Sequence, residues 1–187
     1  LAIVRGGGDL ATGIIYRLWK VGCSVLSLEI PAPLVVRRTV SVASAVFDGE
    51  ITIEDMKAVR IGSLKDFPCD RSRIYVLVDP EGRSISELKP DILVDAIMAK
   101  RNLGTKKDMA LIVIGIGPGF SAPEEVDAVI ETKRGHYLGR VIRNGSAIPN
   151  TGVPGLIKGY TVERLLRSPC EGHVVPVKTI GDSVMPG

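Results

Sequence analysis

Aromatic residues and cysteines are both scarce in this sequence. Aromatic side chains make up 4% of the 187 residues, while 45% of the residues are hydrophobic. The core must therefore be built from aliphatic side chains, which suits parallel strands covered on both faces. The cysteines, Cys23, Cys69 and Cys170, are three in number and widely spaced. This pattern excludes a disulfide framework or a CxxC metal site and favours a reducing compartment.

Long apolar runs and an excess of one charge are also missing. The sequence has no run of about 18 apolar residues, so no membrane-spanning helix is predicted, and it has no signal-peptide pattern. The net charge of +3, from 24 basic and 21 acidic residues, is too small to favour bulk binding of nucleic acid. We therefore expect a cytoplasmic protein that binds neither membranes nor nucleic acids.

The N-terminal residues predict a β-α-β unit. An apolar strand at 1–4 leads into three glycines, a helix is predicted at 10–20, and a second strand at 23–30. Asp9 is predicted to cap the helix and Gly22 to end it. This order of elements is typical of parallel α/β folds. We predict a Rossmann-like, mostly parallel sheet of about five or six strands.

The following residues predict more strands, and after them the amino-acid composition changes. A helix is expected at 34–47. Further strands are expected at 58–61, 74–78, 91–94 and 109–116. After Gly117, glycine and proline become dense, which predicts a glycine-rich loop and hairpin cap. Its short strands are expected at 127–132 and 137–142, with a hairpin turn at Asn144–Gly145.

The chain is predicted to divide into a Rossmann-like domain with its cap at 1–166 and the beginning of a small β module at 167–187. Short strands of that module are expected at 168–175 and 180–184. The chain begins inside a predicted strand and stops at a turn signal. We therefore expect it to be less than the whole protein.

The three glycines open the most informative motif. Gly6, Gly7 and Gly8, with Asp9 and a small residue at 11, match the GxGxxG/A turn that lets the backbone approach a pyrophosphate. The amide groups at the helix N-terminus would attract an anion. Glu29 ends the next predicted strand, where a carboxylate hydrogen-bonds a ribose diol. The charge of Asp9 would repel phosphate. Two interpretations remain open, a nucleotide or dinucleotide site and a Rossmann scaffold whose site is adapted or empty.

A second glycine loop and several basic residues could complete the site. Gly117 and Gly119 follow the most apolar predicted strand, at the edge of the sheet where ligands bind. Asp79 and Asp95 end neighbouring strands and could point into the same crevice. The basic and polar candidates for binding an anion are Arg37, Arg38, Lys100, Arg101 and Asn102. The alternative for Lys100 and Arg101 is a solvated helix end.

His136 lies in a glycine-rich and basic stretch. Its imidazole could act as an acid–base or ligand residue, because its pKa lies near neutrality; a purely structural role is the alternative. The sequence does not identify a catalytic residue and leaves open whether the protein is an enzyme; we predict no metal site.

Five motifs, in order along nearly the whole chain, resemble YqeB-type accessory proteins of selenium-dependent molybdenum hydroxylase systems. They are RGGGDLATG (5–13), LEIPAPLVVRRTVS (28–41), VDAIMAKRNLGT (94–105), IGIGPGF (114–120) and VIETKRGHYLGRVIRNGSAIPNTGVPG (129–155). The resemblance implies a bacterial cytoplasmic protein that assists the maturation of a xanthine- or purine-dehydrogenase-type hydroxylase. The opening turn is also similar to that of xanthine dehydrogenase accessory factors. The resemblance to YqeB-type proteins also implies that the β module is lipoyl-like and continues after residue 187.

The resemblance implies a phosphate-bearing cofactor, either a molybdopterin-type cofactor or a nucleotide, and the hydroxylase as partner. An NAD(P)-dependent oxidoreductase and a non-catalytic scaffold that docks the hydroxylase remain as alternatives, and a homo-oligomer is open. The residues predicted to line the cofactor site are Gly6, Gly7, Gly8, Asp9, Glu29, Arg37, Arg38, Lys100, Arg101, Asn102, Gly117, Gly119 and His136.

Overall fold

The computed structural model of the chain describes residues 1–165 and 167–185. It divides the chain into two compact units, residues 1–150 and residues 151–187. Leu166, the last residue of the predicted first domain, and Pro186 and Gly187, which end the predicted β module, lie outside the described residues. The division after residue 166 stays a prediction.

The predicted β-α-β unit is formed within the first unit. Strand β1 (Ala2–Arg5) leads into helix α1 (Asp9–Lys20), and strand β2 (Val25–Glu29) lies parallel to β1. Leu26 and its neighbours in these strands are buried, because a parallel strand has packing partners on both faces.

The two ends of helix α1 differ in how well they were predicted. The N-cap is Gly8, with an extended backbone, and Asp9 is already the first helical residue; the prediction that Asp9 caps the helix is wrong. The predicted stop at Gly22 is confirmed. The Gly22 amide donates to the carbonyl of Trp19, the Cys23 amide donates to the carbonyl of Leu18, and Gly22 has a φ of +91°. This is the left-handed conformation that favours glycine after a helix.

The first unit contains nine more strands and two short α-helices. The helices are α2 (Ala45–Asp48) and α3 (Arg83–Leu88). The strands are β3 (Glu50–Ile53), β4 (Met56–Ile61), β5 (Ile74–Val78), β6 (Ile92–Asp95), β7 (Ile112–Ile116), β8 (Ser121–Ala122), β9 (Ala128–Ile130), β10 (Val141–Ile142) and β11 (Gly145–Ser146).

The main sheet has nine strands in the order β10-β9-β7-β6-β1-β2-β5-β4-β3, rather than the predicted five or six. The strands from β9 to β4 in this order are parallel, and β10 and β3 pair antiparallel at the two edges. The prediction of an α/β fold with a mostly parallel sheet is confirmed. All four predicted strands between 58 and 116 form; the strand at 74–78 has the predicted bounds, and the other three have shifted ends.

The core has two layers, one on each face of the sheet. Val4, Val25 and Val76 belong to one layer, and their neighbours Ile3 and Leu26 belong to the other. Successive side chains of a strand point to opposite faces, so these aliphatic strands supply both layers.

The predicted helix at 34–47 is wrong apart from its last residues. The chain forms 3-10 turns at Arg38–Val40 and Val42–Ser44 before α2 begins at residue 45. The reason is tertiary: the Val42 amide donates to the Thr12 hydroxyl at 3.0 Å and the Ala43 amide to the Gly7 carbonyl at 2.9 Å. These bonds bind the segment to the start of α1 and interrupt a regular helix.

The predicted cap is only partly separate from the sheet. Strand β9 pairs with β7 and strand β10 with β9, so both extend the main sheet. The predicted hairpin at Asn144–Gly145 is wrong, because β10 and β11 lie in different sheets; β11 pairs with β8 in a small second sheet.

The second unit has little regular structure in its described residues. It contains a 3-10 turn at Val162–Arg164 and a single bridge between Ile157 and Tyr160. No strand forms in residues 167–185. The predicted strands at 168–175 and 180–184 are therefore not present there. Their valines are exposed, Val174 by 83%, so no packed face supports a strand. The β module itself stays a prediction.

Candidate functional site

A cavity of about 430 Å³ opens at the carboxyl ends of the central strands. Strand β1 has β2 on one side and β6 on the other. The chain therefore extends the sheet first on one side of β1 and later on the other side. Open parallel sheets bind ligands at such a point. The predicted site residues that line this cavity are Gly6, Gly8, Asp9, Glu29 and Arg37.

The first two glycines are explained by packing. Gly6 has a φ of +96°, and a Cβ there would lie 2.9 Å from the carbonyl oxygen of Ala96. A Cβ on Gly7 would lie 2.9 Å from the backbone nitrogen of Ala43. Both positions therefore need glycine because other backbone passes close to the turn.

Gly8 is different, because the protein itself leaves room beside it. Its φ is −66°, which any residue adopts, and the nearest atom to an added Cβ is Val35 Cγ1 at 3.8 Å. The amides of Gly8, Asp9 and Leu10 open helix α1 and have no acceptor among the described residues. The positive end of the helix and bare backbone thus face the cavity.

Glu29 holds the glycine turn to the end of β2. Its Oε1 accepts the Gly7 amide at 2.7 Å, and its Oε2 accepts the Ile30 amide at 2.9 Å. Burial raises the pKa of Glu29, and the hydrogen bonds from Ile30 and Gly7 offset this only in part. Because the Gly7 amide already donates to Glu29, it is not open to a ligand. The carboxylate, by contrast, retains lone pairs for a hydroxyl donor.

Asp9 and Arg37 form an ion pair at the mouth of the cavity. Arg37 Nη1 lies 2.5 Å from Asp9 Oδ2, and the Arg37 side chain is 65% exposed. The acid that was predicted to repel phosphate is therefore paired with a base. Arg38 does not line the cavity. Its guanidinium pairs with Asp48 at 3.0 Å and lies over the ring of Phe47.

A buried polar network lies in one wall of the cavity, and sequence reasoning missed part of it. Arg5 is 5% exposed; its Nη1 donates to the Thr105 hydroxyl at 2.6 Å and lies 3.4 Å from Asp95 Oδ2. Thr105 in turn donates to Asp95 at 2.5 Å. A basic residue at the end of a buried strand, directly before the glycines, was the available signal for Arg5.

Asp79 also lines the cavity, as predicted, but its carboxylate is occupied. It accepts the amide and hydroxyl of Ser84 and the amide of Arg83. Burial raises the pKa of Asp79, yet these hydrogen bonds outweigh burial and lower it below the ordinary value. Asp79 thus holds the start of α3, while Asp95 belongs to the network with Arg5.

The remaining predicted residues lie outside this cavity. The backbones of Gly119 and Arg101 pack together, since a Cβ on Gly119 would lie 2.6 Å from Arg101 N. The Asn102 side chain accepts the amides of Gly104 and Thr105 and so shapes its own loop. The side chains of Lys100 and Arg101 are exposed. No helix ends there among the described residues, so the solvated helix end was a wrong alternative.

Gly117 and His136 are also apart from the cavity. Gly117 has a φ of +79°, and a Cβ there would lie 2.7 Å from the Thr132 hydroxyl. His136 is exposed on the connection from β9 to β10, with its ring edge-on to Tyr137 at 5.0 Å. The roles predicted for these residues stay predictions.

Neither a metal-binding cluster nor a membrane-spanning helix is found in the part of the chain that the structure describes. Within residues 1–165 and 167–185, no cluster of three or more His, Cys, Asp or Glu side chains is suited to a metal ion. In the same residues, no helix combines the length and the apolar character needed to cross a bilayer.

The fold and the cavity define a mixed α/β protein with a mostly parallel sheet and a pocket at its carboxyl edge. The chain is 47% identical over 189 residues to "Uncharacterized protein YqeB" of Escherichia coli (strain K12). The match covers 100% of this chain and 35% of the relative, so the chain spans about a third of the relative's length. This similarity supports the resemblance to a YqeB-type protein. No family model and no solved structure matches the chain.

Proposed function

We propose that the chain binds a phosphate-bearing small molecule, a nucleotide or a molybdopterin-type cofactor, in the cavity beside Gly8. The phosphate would accept hydrogen bonds from the amides of Gly8, Asp9 and Leu10. The Glu29 carboxylate would accept from hydroxyl groups of the ligand. The single observation that carries the proposal is the open space beside Gly8, which the packing of the protein does not explain.

The strand order supports a Rossmann-like interpretation of the first unit. Strands β5-β2-β1-β6-β7-β9 follow the order 3-2-1-4-5-6 of dinucleotide-binding sheets, although helices are few. In such sheets the phosphate lies at the first glycine turn. Fold-level likeness alone does not establish a ligand, so the proposal depends on the local geometry around Gly8 and Glu29.

The wider role proposed for the protein comes from its resemblance to YqeB-type proteins. It is cytoplasmic maturation of a selenium-dependent molybdenum hydroxylase of the xanthine or purine dehydrogenase type, with that hydroxylase as partner. The ion pair of Asp9 with Arg37 is compatible with an anionic cofactor, because the pair presents no uncompensated negative charge at the mouth.

A charge pair of variants at residue 8 tests the binding proposal. Gly8→Asp and Gly8→Asn add side chains of equal size, and both residues are good helix N-caps. Calorimetry with molybdopterin, its dinucleotide form, NAD⁺ and inorganic phosphate would compare them with the natural chain. A negative charge about 4 Å from a phosphate costs about 4 kcal/mol at an effective dielectric constant near 20. We therefore expect Gly8→Asp to bind at least about tenfold more weakly than Gly8→Asn.

Two outcomes would remove the proposal. One is the absence of heat with every one of these compounds. The other is equal affinity of the two variants and the natural chain, which would place the ligand away from Gly8.

The position of Glu29 favours a second candidate, an NAD(P)-dependent oxidoreductase. An acid at the end of β2 is where dinucleotide sites hydrogen-bond the ribose 2′-hydroxyl of NAD. NADH fluorescence of the ligand-free chain distinguishes the candidates. Enhancement that Glu29→Ala abolishes supports the oxidoreductase, and no enhancement excludes it. A docking scaffold would still retain the hydroxylase in a pull-down when Gly8 is Asp.

A further inference from the structure

An apolar groove lies on the α1 side of the sheet, away from the Glu29 end of the cavity. Its volume is about 380 Å³. Its floor is formed by side chains of β6, β7 and β9, namely Ile92, Val94, Ile112, Ile114, Ile116 and Ile130. These residues alternate along their strands, so they share one face. We call this surface the β6–β9 groove.

Two walls border the β6–β9 groove. Ile14 and Leu18 of α1 form one wall, and Leu138 of the β9–β10 connection forms the other. Apolar surface stays open to solvent here: Ile112 is 47% exposed and Leu138 is 59% exposed. Parallel sheets normally bury both faces under their crossover helices. The described connections from β6 to β7 and from β7 to β9 contain no α-helix. These connections therefore add no helix to this face, and of the floor residues only Val94 and Ile116 are buried.

The dimensions of the groove suit a single helix. Three strands at a spacing of about 4.8 Å make a floor roughly 10 to 14 Å wide. An α-helix with its side chains is about 10 to 12 Å across. A helix with one apolar stripe would thus cover the floor between α1 and Leu138.

The charged residues on the two walls indicate which side chains should flank the apolar stripe of that helix. The β9–β10 connection carries exposed basic side chains, and Arg17 of α1 is exposed beside Leu18 on the opposite wall. The basic residues of the connection are Lys133, Arg134 and Arg140, and Arg143 follows directly after β10. Glu131 is the carboxylate of this stretch, and it is 2% exposed and occupied by the amides of Lys133 and Ile148. The connection that carries Leu138 is therefore basic on its exposed surface.

We propose that the β6–β9 groove binds an amphipathic helix of a partner protein, with acidic residues along the flanks of its apolar stripe. Apolar side chains of that helix would cover Ile112 and Ile114, and its carboxylates would face Arg134 and Arg140. The proposal does not depend on a ligand in the cavity beside Gly8, although Leu10 borders both the groove and that cavity.

A synthetic peptide tests the proposal. The probe is an 18-residue, fluorescein-labelled helical peptide with a Leu stripe and Glu flanks, titrated with the 187-residue chain and followed by fluorescence anisotropy. Its control has Lys in place of Glu. We expect the acidic peptide to bind at least about tenfold more tightly than the basic one, with a preference that weakens as salt rises.

Variants of exposed residues locate the binding. Leu138→Asp and the pair Arg134→Glu, Arg140→Glu should each weaken binding of the acidic peptide at least about tenfold. Val177→Asp is the matched control, because Val177 is 97% exposed and does not line the groove. Circular dichroism checks that each variant keeps its fold.

Three results would overturn the proposal. They are no binding of the acidic peptide, equal binding of the two peptides, and binding that Leu138→Asp leaves unchanged. Sedimentation of the chain alone shows whether it forms a dimer. A dimer that Leu138→Asp dissociates would assign the groove to a second copy of this chain instead of a partner helix.

Discussion

Glu29 and Gly7 are joined by a hydrogen bond of 2.7 Å, from the Gly7 amide to Glu29 Oε1. The bond ties the end of β2 to the glycine turn that precedes α1. It also decides which amides a ligand can reach, because Gly7 is taken and Gly8 is not. The candidate site therefore uses fewer backbone amides than three consecutive glycines suggest. It consists of an open helix N-terminus beside the half-buried carboxylate of Glu29.

The raised pKa of Glu29 predicts a pH dependence of stability. Burial raises this pKa above its ordinary value of 4.5, so folding favours the protonated form. The contribution of Glu29 to stability is complete below pH 4.5 and is lost as pH rises through the folded-state pKa. In urea unfolding, Glu29→Gln should therefore gain stability relative to the natural chain between acidic and neutral pH. A stability difference between the two proteins that does not change with pH would contradict a raised pKa of Glu29.

Gly7, Gly8 and Gly13 have different surroundings, so substitutions at these three positions should differ in their effect on stability. Gly7→Ala should destabilise the fold by about 1 to 3 kcal/mol, since its Cβ would overlap the Ala43 backbone. Gly13→Ala is the matched control: Gly13 lies within α1 with nothing within 4 Å of an added Cβ, so it should stabilise by up to about 1 kcal/mol. Gly8→Ser should leave thermal stability unchanged or higher, because serine is a good N-cap. A loss at Gly8 as large as that at Gly7 would contradict the space seen beside Gly8.

The buried pair of Arg5 with Asp95 predicts non-additive losses. Asp95→Ala leaves the Arg5 charge buried without its acid and should cost about 3 to 5 kcal/mol of unfolding free energy. The double variant Arg5→Met, Asp95→Leu removes both charges and should be more stable than Asp95→Ala. Chemical denaturation of both variants, together with Arg5→Met alone and Asp95→Leu alone, completes the double-mutant cycle. Simple additivity would show that the two side chains do not interact.

The ion pair at the cavity mouth predicts opposite effects on the binding of an anion. Asp9→Asn removes a negative charge and should strengthen binding of a phosphate-bearing ligand by about fivefold, near 1 kcal/mol. Arg37→Gln should weaken it by a similar factor. Both effects should shrink in high salt, since Arg37 is largely exposed. Calorimetry at two ionic strengths measures them, and effects of the same sign in both variants would exclude a direct electrostatic role.

Prediction from the sequence succeeded where the signals were short-range. Strand β1, helix α1, Gly22 and strand β2 follow one another directly, and each is marked by apolar periodicity or by glycine. Glu29 was placed correctly for the same reason, because a residue at the end of a parallel strand must lie at the carboxyl edge of the sheet. Local chemistry was sufficient for the centre of the fold and for the position of Glu29 at this edge of the sheet.

Contacts between distant segments decided the rest. The amides of Val42 and Ala43 donate to Thr12 and Gly7, and residues 38–44 form 3-10 turns instead of the predicted helix. Arg5 meets an acid 90 residues further along the chain. No local pattern encodes which strand a segment will pair with, because the free energy of burial depends on neighbours that only the assembled sheet brings together. Residue order thus specified the glycine turn and its helix, while packing alone determined that Gly7 is closed, Gly8 is open and one apolar face is bare.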